Sequence, residues 1–247
     1  MRSLKLLVAV GVAAVASTGA LATSASAALP EFIVPNGLTS LTETVEGTAS
    51  GTSAVFEDHG GLKVKCARVE STPGNYAFVE TKELSFSLVY TGCYGNAQRG
   101  TGEKCTTPGE PAGNIALVSH GEFGYINRAA KKVGALFEGY SESTAEGDFD
   151  VFTIFGCEPA PGVVSTYVTS SGAAVGEVSP VDKETTTVKI KLTQSKSEQK
   201  LAFEGNLPLN PTAILEGGRF RFGGSSEPAG ITSSVTLTMS KAVFLAA

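Results

Sequence analysis

Apolar and polar residues alternate one by one along several stretches of this chain. The clearest stretch has apolar residues at every second position: Leu84, Phe86, Leu88 and Tyr90. Successive side chains of a β-strand point to opposite faces, so this period of two places the apolar set on one face of a sheet. The pattern recurs in residues 62–66, 188–193 and 235–240. It is typical of antiparallel sheets with one buried face, because parallel strands are covered on both faces.

Glycine- and proline-rich turn sequences separate these stretches, and no helical stripe with caps follows the first 27 residues. The sequence predicts two hairpins, one joining 123–126 to 133–137 and the other joining 186–193 to 200–204. Many short strands at regular spacing indicate a sandwich or a barrel. We expect an all-β fold, a single large antiparallel β-sandwich over 28–247, with a closed β-barrel as the alternative.

The first 27 residues have the composition of an export signal. Arg2 and Lys5 give a charged start, an apolar run covers 6–16, and three small residues end at Ala27. The run is shorter than the roughly 20 residues that span a bilayer. We therefore expect a signal helix that is cleaved between Ala27 and Ala28. A second long apolar run does not follow, so we expect a secreted, extracellular protein without a membrane span.

Charge is sparse and mildly negative. The formal net charge is -5, and loss of the basic residues Arg2 and Lys5 would make it -7. Basic residues are scattered in small groups such as Lys63 and Lys65. A nucleic-acid-binding protein needs a clustered basic face, so we expect no nucleic acid among the partners. The oligomeric state stays open.

The chain contains four cysteines, namely Cys66, Cys93, Cys105 and Cys157. An even number of cysteines in an exported chain indicates disulfides, and the absence of C-x-x-C spacing argues against a metal site. Three pairings are open to four cysteines. The glycine-rich, polar stretch 94–104 has the character of a loop, so we favour Cys93–Cys105. Cys66–Cys157 would then be the second, long-range bridge.

Two histidines are the candidates for a general base at neutral pH. His59 lies in a turn sequence and His120 on or beside a strand, and an exposed polar position is the expected role of each. A secreted hydrolase that uses one of them, for instance His120 with Asp148 or Asp150, is the alternative. The chain contains no Gly-x-Ser-x-Gly motif. We expect no catalytic residue and no cofactor.

An acidic stretch places Glu142, Glu146, Asp148 and Asp150 within nine residues of one another. Carboxylates at close spacing are the ligands that calcium prefers. The stretch lacks the D-x-D-x-D-G order of a calcium loop, so we expect a solvated acidic loop and no metal site.

Carbohydrate binding is common among secreted β-domains and needs an exposed aromatic ring. The chain has no Trp and only 6 Tyr. Tyr94 follows Cys93 in a stretch that the favoured disulfide would close into a loop. Tyr94 is therefore the residue that we predict to bind a ligand, although half-buried sheet positions are the commoner role of tyrosine.

Several short segments are distinctive as a set: 28–32, 91–93 followed by 104–106, 121–126 and 231–233. Together they resemble a group of secreted, all-β, cysteine-bearing actinobacterial proteins that has no assigned activity. The resemblance covers most of the mature chain and implies an exported actinobacterial domain. It transfers no catalytic or binding residue. We expect a secreted non-enzymatic domain that binds, or is a structural part, at the cell envelope or outside the cell. Its partner would be an envelope glycan or a protein.

Overall fold

A computed structural model describes residues 28–34, 39–40, 44–58, 61–71, 77–95, 103–139, 151–158, 167–171, 173–195, 201–205, 220–222 and 227–247. These residues form an all-β structure whose strands pair antiparallel. The strands are β1 (Glu31–Val34), β2 (Thr39–Ser40), β3 (Val45–Gly51), β4 (Ala54–Asp58), β5 (Lys63–Cys66), β6 (Arg68–Ser71), β7 (Ala77–Val79), β8 (Glu83–Thr91), β9 (Tyr94–Gly95), β10 (Glu103–Thr106), β11 (Ile115–Asn127), β12 (Lys132–Gly139), β13 (Val151–Glu158), β14 (Tyr167–Ser171), β15 (Ala173–Ser179), β16 (Glu184–Thr193), β17 (Phe220–Phe222) and β18 (Glu227–Ala246).

A closed, eight-stranded antiparallel barrel forms the centre of the fold. Around it, β18 pairs with β16, β16 with β15, β15 with β12, β12 with β11, and β11 with β8. β6 and β7 occupy one position between β8 and β3, and β3 pairs with β18. The prediction of an all-β, antiparallel fold is confirmed. The chain forms the closed barrel that we gave as the alternative, and not the β-sandwich that we favoured. Closure leaves this sheet without free edges.

Outer strands extend the barrel from the same long strands. β3 and β4 run in the same direction and pair with successive parts of β18. β9 comes directly after β8 in the chain. A second series of pairings runs from β4 through β5, β9, β10, β13, β14 and β17 back to β18. Residues 227–232 of β18 pair with β17 and β4, whereas residues 232–239 pair with β16 and β3. β18 therefore joins the two series.

One main hydrophobic core lies inside this structure. The alternating stretches bury their apolar side chains as the sequence predicts, for example Leu84 and Leu88 of β8. Phe56 of β4 packs edge-on against Tyr90 of β8, with ring centroids 5.1 Å apart. Phe56 also meets Phe155 of β13 at 6.3 Å. The outer strands thus share their core with the barrel, and each buried ring contributes roughly 1.5–3 kcal/mol.

The structure confirms one of the two predicted hairpins and contradicts the other. The first is confirmed, because β11 pairs with β12 and places Phe123 opposite Ala135. The second is wrong, because β16 has β15 on one edge and β18 on the other. With both edges of β16 occupied, residues 201–205 cross instead to the end of β11. There Glu204 forms an isolated bridge with Tyr125.

Candidate binding surface

The four cysteines lie in one row: Cys66 ends β5, Cys93 directly precedes β9, and Cys105 and Cys157 lie in β10 and β13. Lys65 pairs with Tyr94, and Tyr94 with Lys104, which places the adjacent cysteines beside one another. Cys105 is directly opposite Cys157. The disulfides join Cys66 to Cys93 and Cys105 to Cys157, and both lie in the core. The expectation of two disulfides is confirmed.

The pairing favoured from the sequence, Cys93–Cys105 with Cys66–Cys157, is wrong. Neighbouring strands are about 4.8 Å apart, so the two ends of a four-strand row are separated by roughly 14 Å. A disulfide needs Cα atoms within about 7 Å. A bridge between the middle cysteines would therefore leave Cys66 and Cys157 too far apart to pair. Joining neighbours at each end of the row is the arrangement that uses all four.

The outer side of the same strands carries a row of polar and aromatic side chains. Lys65, Tyr94 and Lys104 are directly opposite one another on adjacent strands. We call these three residues the Tyr94 row. All three are exposed, and the Tyr94 side chain is 45% exposed. Tyr94 lies on a strand rather than in the loop expected from the sequence. The prediction that it binds a ligand stays a prediction.

The two disulfides support the Tyr94 row from inside. Each of its residues is adjacent in sequence to a bridged cysteine, and Gly95 follows Tyr94. A Cβ atom on Gly95 would lie 2.9 Å from Sγ of Cys105 and 3.0 Å from Sγ of Cys157. The backbone of β9 therefore rests directly on a disulfide, and the absence of a side chain at Gly95 makes this contact possible. The backbone beneath the row therefore needs little further ordering when a ligand binds.

The lysines in and near the Tyr94 row differ in whether they have a carboxylate partner. Lys63 Nζ is 3.1 Å from Glu57 Oε2. Neither Lys65 nor Lys104 forms an ion pair with any residue that the structure describes. Glu158 lies directly opposite Lys104 on β13, one strand beyond the row. Among the described residues, the row thus presents two cations without an ion-pair partner, one on either side of an exposed aromatic ring.

His120 lies on the outer face of the barrel. Its strand neighbours in register are Ser85 of β8 and Glu138 of β12. Its Nε2 is 3.9 Å from Glu138 Oε2, longer than the roughly 2.6–3.2 Å that proton transfer requires. Ser119 is buried, and its hydroxyl donates to the Glu138 carbonyl oxygen at 2.8 Å. Residue 59 and the acidic stretch 141–150, including Asp148 and Asp150, lie outside the described residues.

Carboxylates surround His120 on this face. Glu83 is directly opposite Glu122, two residues from His120 on the same side of β11. Burial raises the pKa of the Glu122 carboxyl, the negative charge of Glu83 raises it further, and the charge of His120 opposes both. A carboxyl with a raised pKa resists ionisation. The pKa shift is explained by burial and like charge, without any ligand.

The barrel interior is almost filled by side chains. A cavity of about 20 Å³ remains, and its lining includes Tyr90, Ser119, Phe137 and Ile190. This is room for about one water molecule and not for an organic ligand. Burial raises the pKa of Tyr90 well above its usual range, while the hydroxyl of Ser233 lowers it.

Comparison with known proteins gives no relative. No family model matches the chain, and neither a curated protein nor a solved structure matches it significantly. Among the described residues, no helix has the length and apolar character to cross a membrane.

The sequence predicts Tyr94 as a ligand-binding residue, but it does not predict the two lysines that lie beside it. Lys65 and Lys104 look like scattered surface charges until the register places them on either side of the ring. A signal was present nonetheless. Each cysteine has a charged or aromatic neighbour: Lys65 before Cys66, Tyr94 after Cys93, Lys104 before Cys105 and Glu158 after Cys157. Because strand residues alternate between faces, buried cysteines in a row imply that these neighbours form a row outside.

Proposed function

We propose that this chain is a secreted, non-enzymatic domain that binds a cell-envelope glycan through the Tyr94 row. Its first 27 residues have the features of an export signal, and its two disulfides are consistent with an oxidising, extracellular environment. The exposed Tyr94, held on a strand that rests on a disulfide, is the observation that carries the proposal. An aromatic ring offers a sugar a flat apolar face and a polar hydroxyl.

A binding screen with purified, oxidised protein tests this function. Tyr94→Ala is compared with Val118→Ala, because both side chains are 45% exposed and Val118 lies on β11, away from the row. We expect the unmodified protein and Val118→Ala to bind envelope glycans. We expect Tyr94→Ala to lose about fivefold or more in affinity, as loss of a central aromatic contact costs about 1 kcal/mol or more. Equal binding by both variants would contradict the proposal.

A hydrolase that uses His120 is the second candidate. Ser85, His120 and Glu138 stand side by side on adjacent strands, which is the residue set of a nucleophile, a base and an orienting carboxylate. Activity on simple esters would favour this function if His120→Ala abolished it while Lys189→Ala, a change at another exposed strand position, left it intact. Turnover that survives in His120→Ala would count against it.

A further inference from the structure

The two lysines of the Tyr94 row, which have no ion-pair partner among the described residues, support an inference that rests on the function proposed above. We propose that the row selects an acidic polysaccharide, whose sugar rings carry carboxylate groups, over neutral glycans. Tyr94 contacts the face of a sugar ring, and Lys65 and Lys104 bind carboxylates on that ring and on its neighbours.

The spacing of the row favours a charge carried on the sugar itself. Lys65 and Lys104 are each one strand away from Tyr94, which corresponds to about 4.8 Å between backbones. Because the backbones of both lysines lie so close to that of Tyr94, their ammonium groups meet groups attached to the stacked sugar or to the next one. A ring carboxylate lies there. A phosphodiester linkage between sugars is the competing anion, and the test below separates it from a ring carboxylate.

The charges near the row fit an anionic ligand. Lys63 already has a carboxylate partner in Glu57, whereas Lys65 and Lys104 have none among the described residues. A ligand carboxylate can therefore bind them without displacing a carboxylate of the described residues. The net charge of -7 that remains after loss of Arg2 and Lys5 (-5 - 2) opposes an anion only weakly, because salt screens charges more than about 8 Å away. Glu158, beyond Lys104, would repel the anion and limit the site at that end.

Titration calorimetry with three defined polymers tests the selectivity. The polymers are polygalacturonate, its neutral methyl ester and poly(glycerol phosphate). Lys65→Gln/Lys104→Gln removes both charges of the row. The matched control is Lys189→Gln/Lys191→Gln, which removes two exposed lysines from the outer face of β16.

We expect polygalacturonate to bind more tightly than its ester and than poly(glycerol phosphate). The Lys65→Gln/Lys104→Gln variant should bind polygalacturonate about two- to thirtyfold more weakly, the range for losing two exposed ion pairs. The control pair should bind like the unmodified protein. Added salt should weaken binding in the unmodified protein more than in the Lys65→Gln/Lys104→Gln variant.

The outcomes separate this inference from the proposed function. Equal affinity for polygalacturonate and its ester, or an equal loss in the control pair, would overturn the selectivity. If Tyr94→Ala still abolished binding in that case, the glycan-binding function would stand. Preference for poly(glycerol phosphate) would also overturn the carboxylate proposal. If nothing binds, or if Tyr94→Ala binds every polymer as the unmodified protein does, both proposals fail.

Discussion

Gly95 connects the outer face of the candidate binding surface with the core. A side chain there would collide with both sulfur atoms of the Cys105–Cys157 bridge, at 2.9 and 3.0 Å from its Cβ atom. Sulfur atoms inside a packed core have little room to move. The residue after the exposed Tyr94 is therefore constrained by a contact on the opposite side of the sheet.

We predict that Gly95→Ala destabilises the oxidised protein by about 1–3 kcal/mol, the usual cost of overpacking. Denaturant unfolding under non-reducing conditions measures this cost. The control is the same substitution in a Cys105→Ala/Cys157→Ala background, where the sulfur atoms are absent. There the penalty should shrink to within about 0.5 kcal/mol of zero, because the two sites are coupled by contact. An equal penalty in both backgrounds would mean that the disulfide is not the obstacle.

At the scale of elements, residues 201–205 are attached to the outside of the barrel. Phe203 packs with Leu136 and Val175 in a small separate cluster. Glu204 exchanges two backbone hydrogen bonds with Tyr125, each 2.9 Å long. Its carboxylate accepts two hydrogen bonds from Arg128, at 2.7 Å and 3.1 Å. This ion pair lowers the pKa of Glu204.

We predict that Arg128→Ala loosens this attachment without unfolding the barrel. The global stability should change by less than about 1 kcal/mol, as for most exposed ion pairs. Hydrogen exchange in the peptide that contains 201–205 should become faster, because local opening needs less energy than global unfolding. Lys131→Ala is the matched control, since it removes the exposed Lys131–Asp182 pair from the same turn. Equal acceleration in both variants would contradict the role of Arg128.

The difference between local and long-range strand pairing explains why the sequence predicts one hairpin correctly and the other wrongly. Residues 123–126 and 133–137 are joined by a short turn, so local chain geometry decides their pairing. The partners of β16 are instead set by closure of the barrel, where β18 takes the edge that 200–204 was expected to occupy. Alternation reports the face of a strand that is buried and not the identity of its neighbour.

For the whole molecule, the two disulfides close loops of different length. Cys66 and Cys93 are 27 residues apart, and Cys105 and Cys157 are 52 apart. In the chain-entropy description, a bridge that closes a longer loop raises the free energy of unfolding more. The expected contributions are about 3.5 kcal/mol for Cys66–Cys93 and about 4 kcal/mol for Cys105–Cys157. Both bridges connect neighbouring strands of the outer series, so each also holds the backbone beneath the Tyr94 row.

We predict that Cys66→Ala/Cys93→Ala and Cys105→Ala/Cys157→Ala each cost about 3–4 kcal/mol, with the second slightly more costly. Urea unfolding of the oxidised variants measures these costs, and the reduced unmodified protein is the control that lacks both bridges. A non-reducing peptide map should link Cys66 to Cys93. A map that links Cys93 to Cys105 would refute the pairing.

The sequence by itself determined the strands, their buried faces and the presence of disulfides. These follow from the alternation of residues such as Leu84 and Leu88 and from an even number of cysteines, and both signals are local or compositional. Only the tertiary structure decided the barrel closure, the disulfide partners and the lysines beside Tyr94. Each depends on register between strands that are distant in sequence, such as β10 and β13. Register is fixed when all the faces are buried together, which no single stretch of sequence encodes.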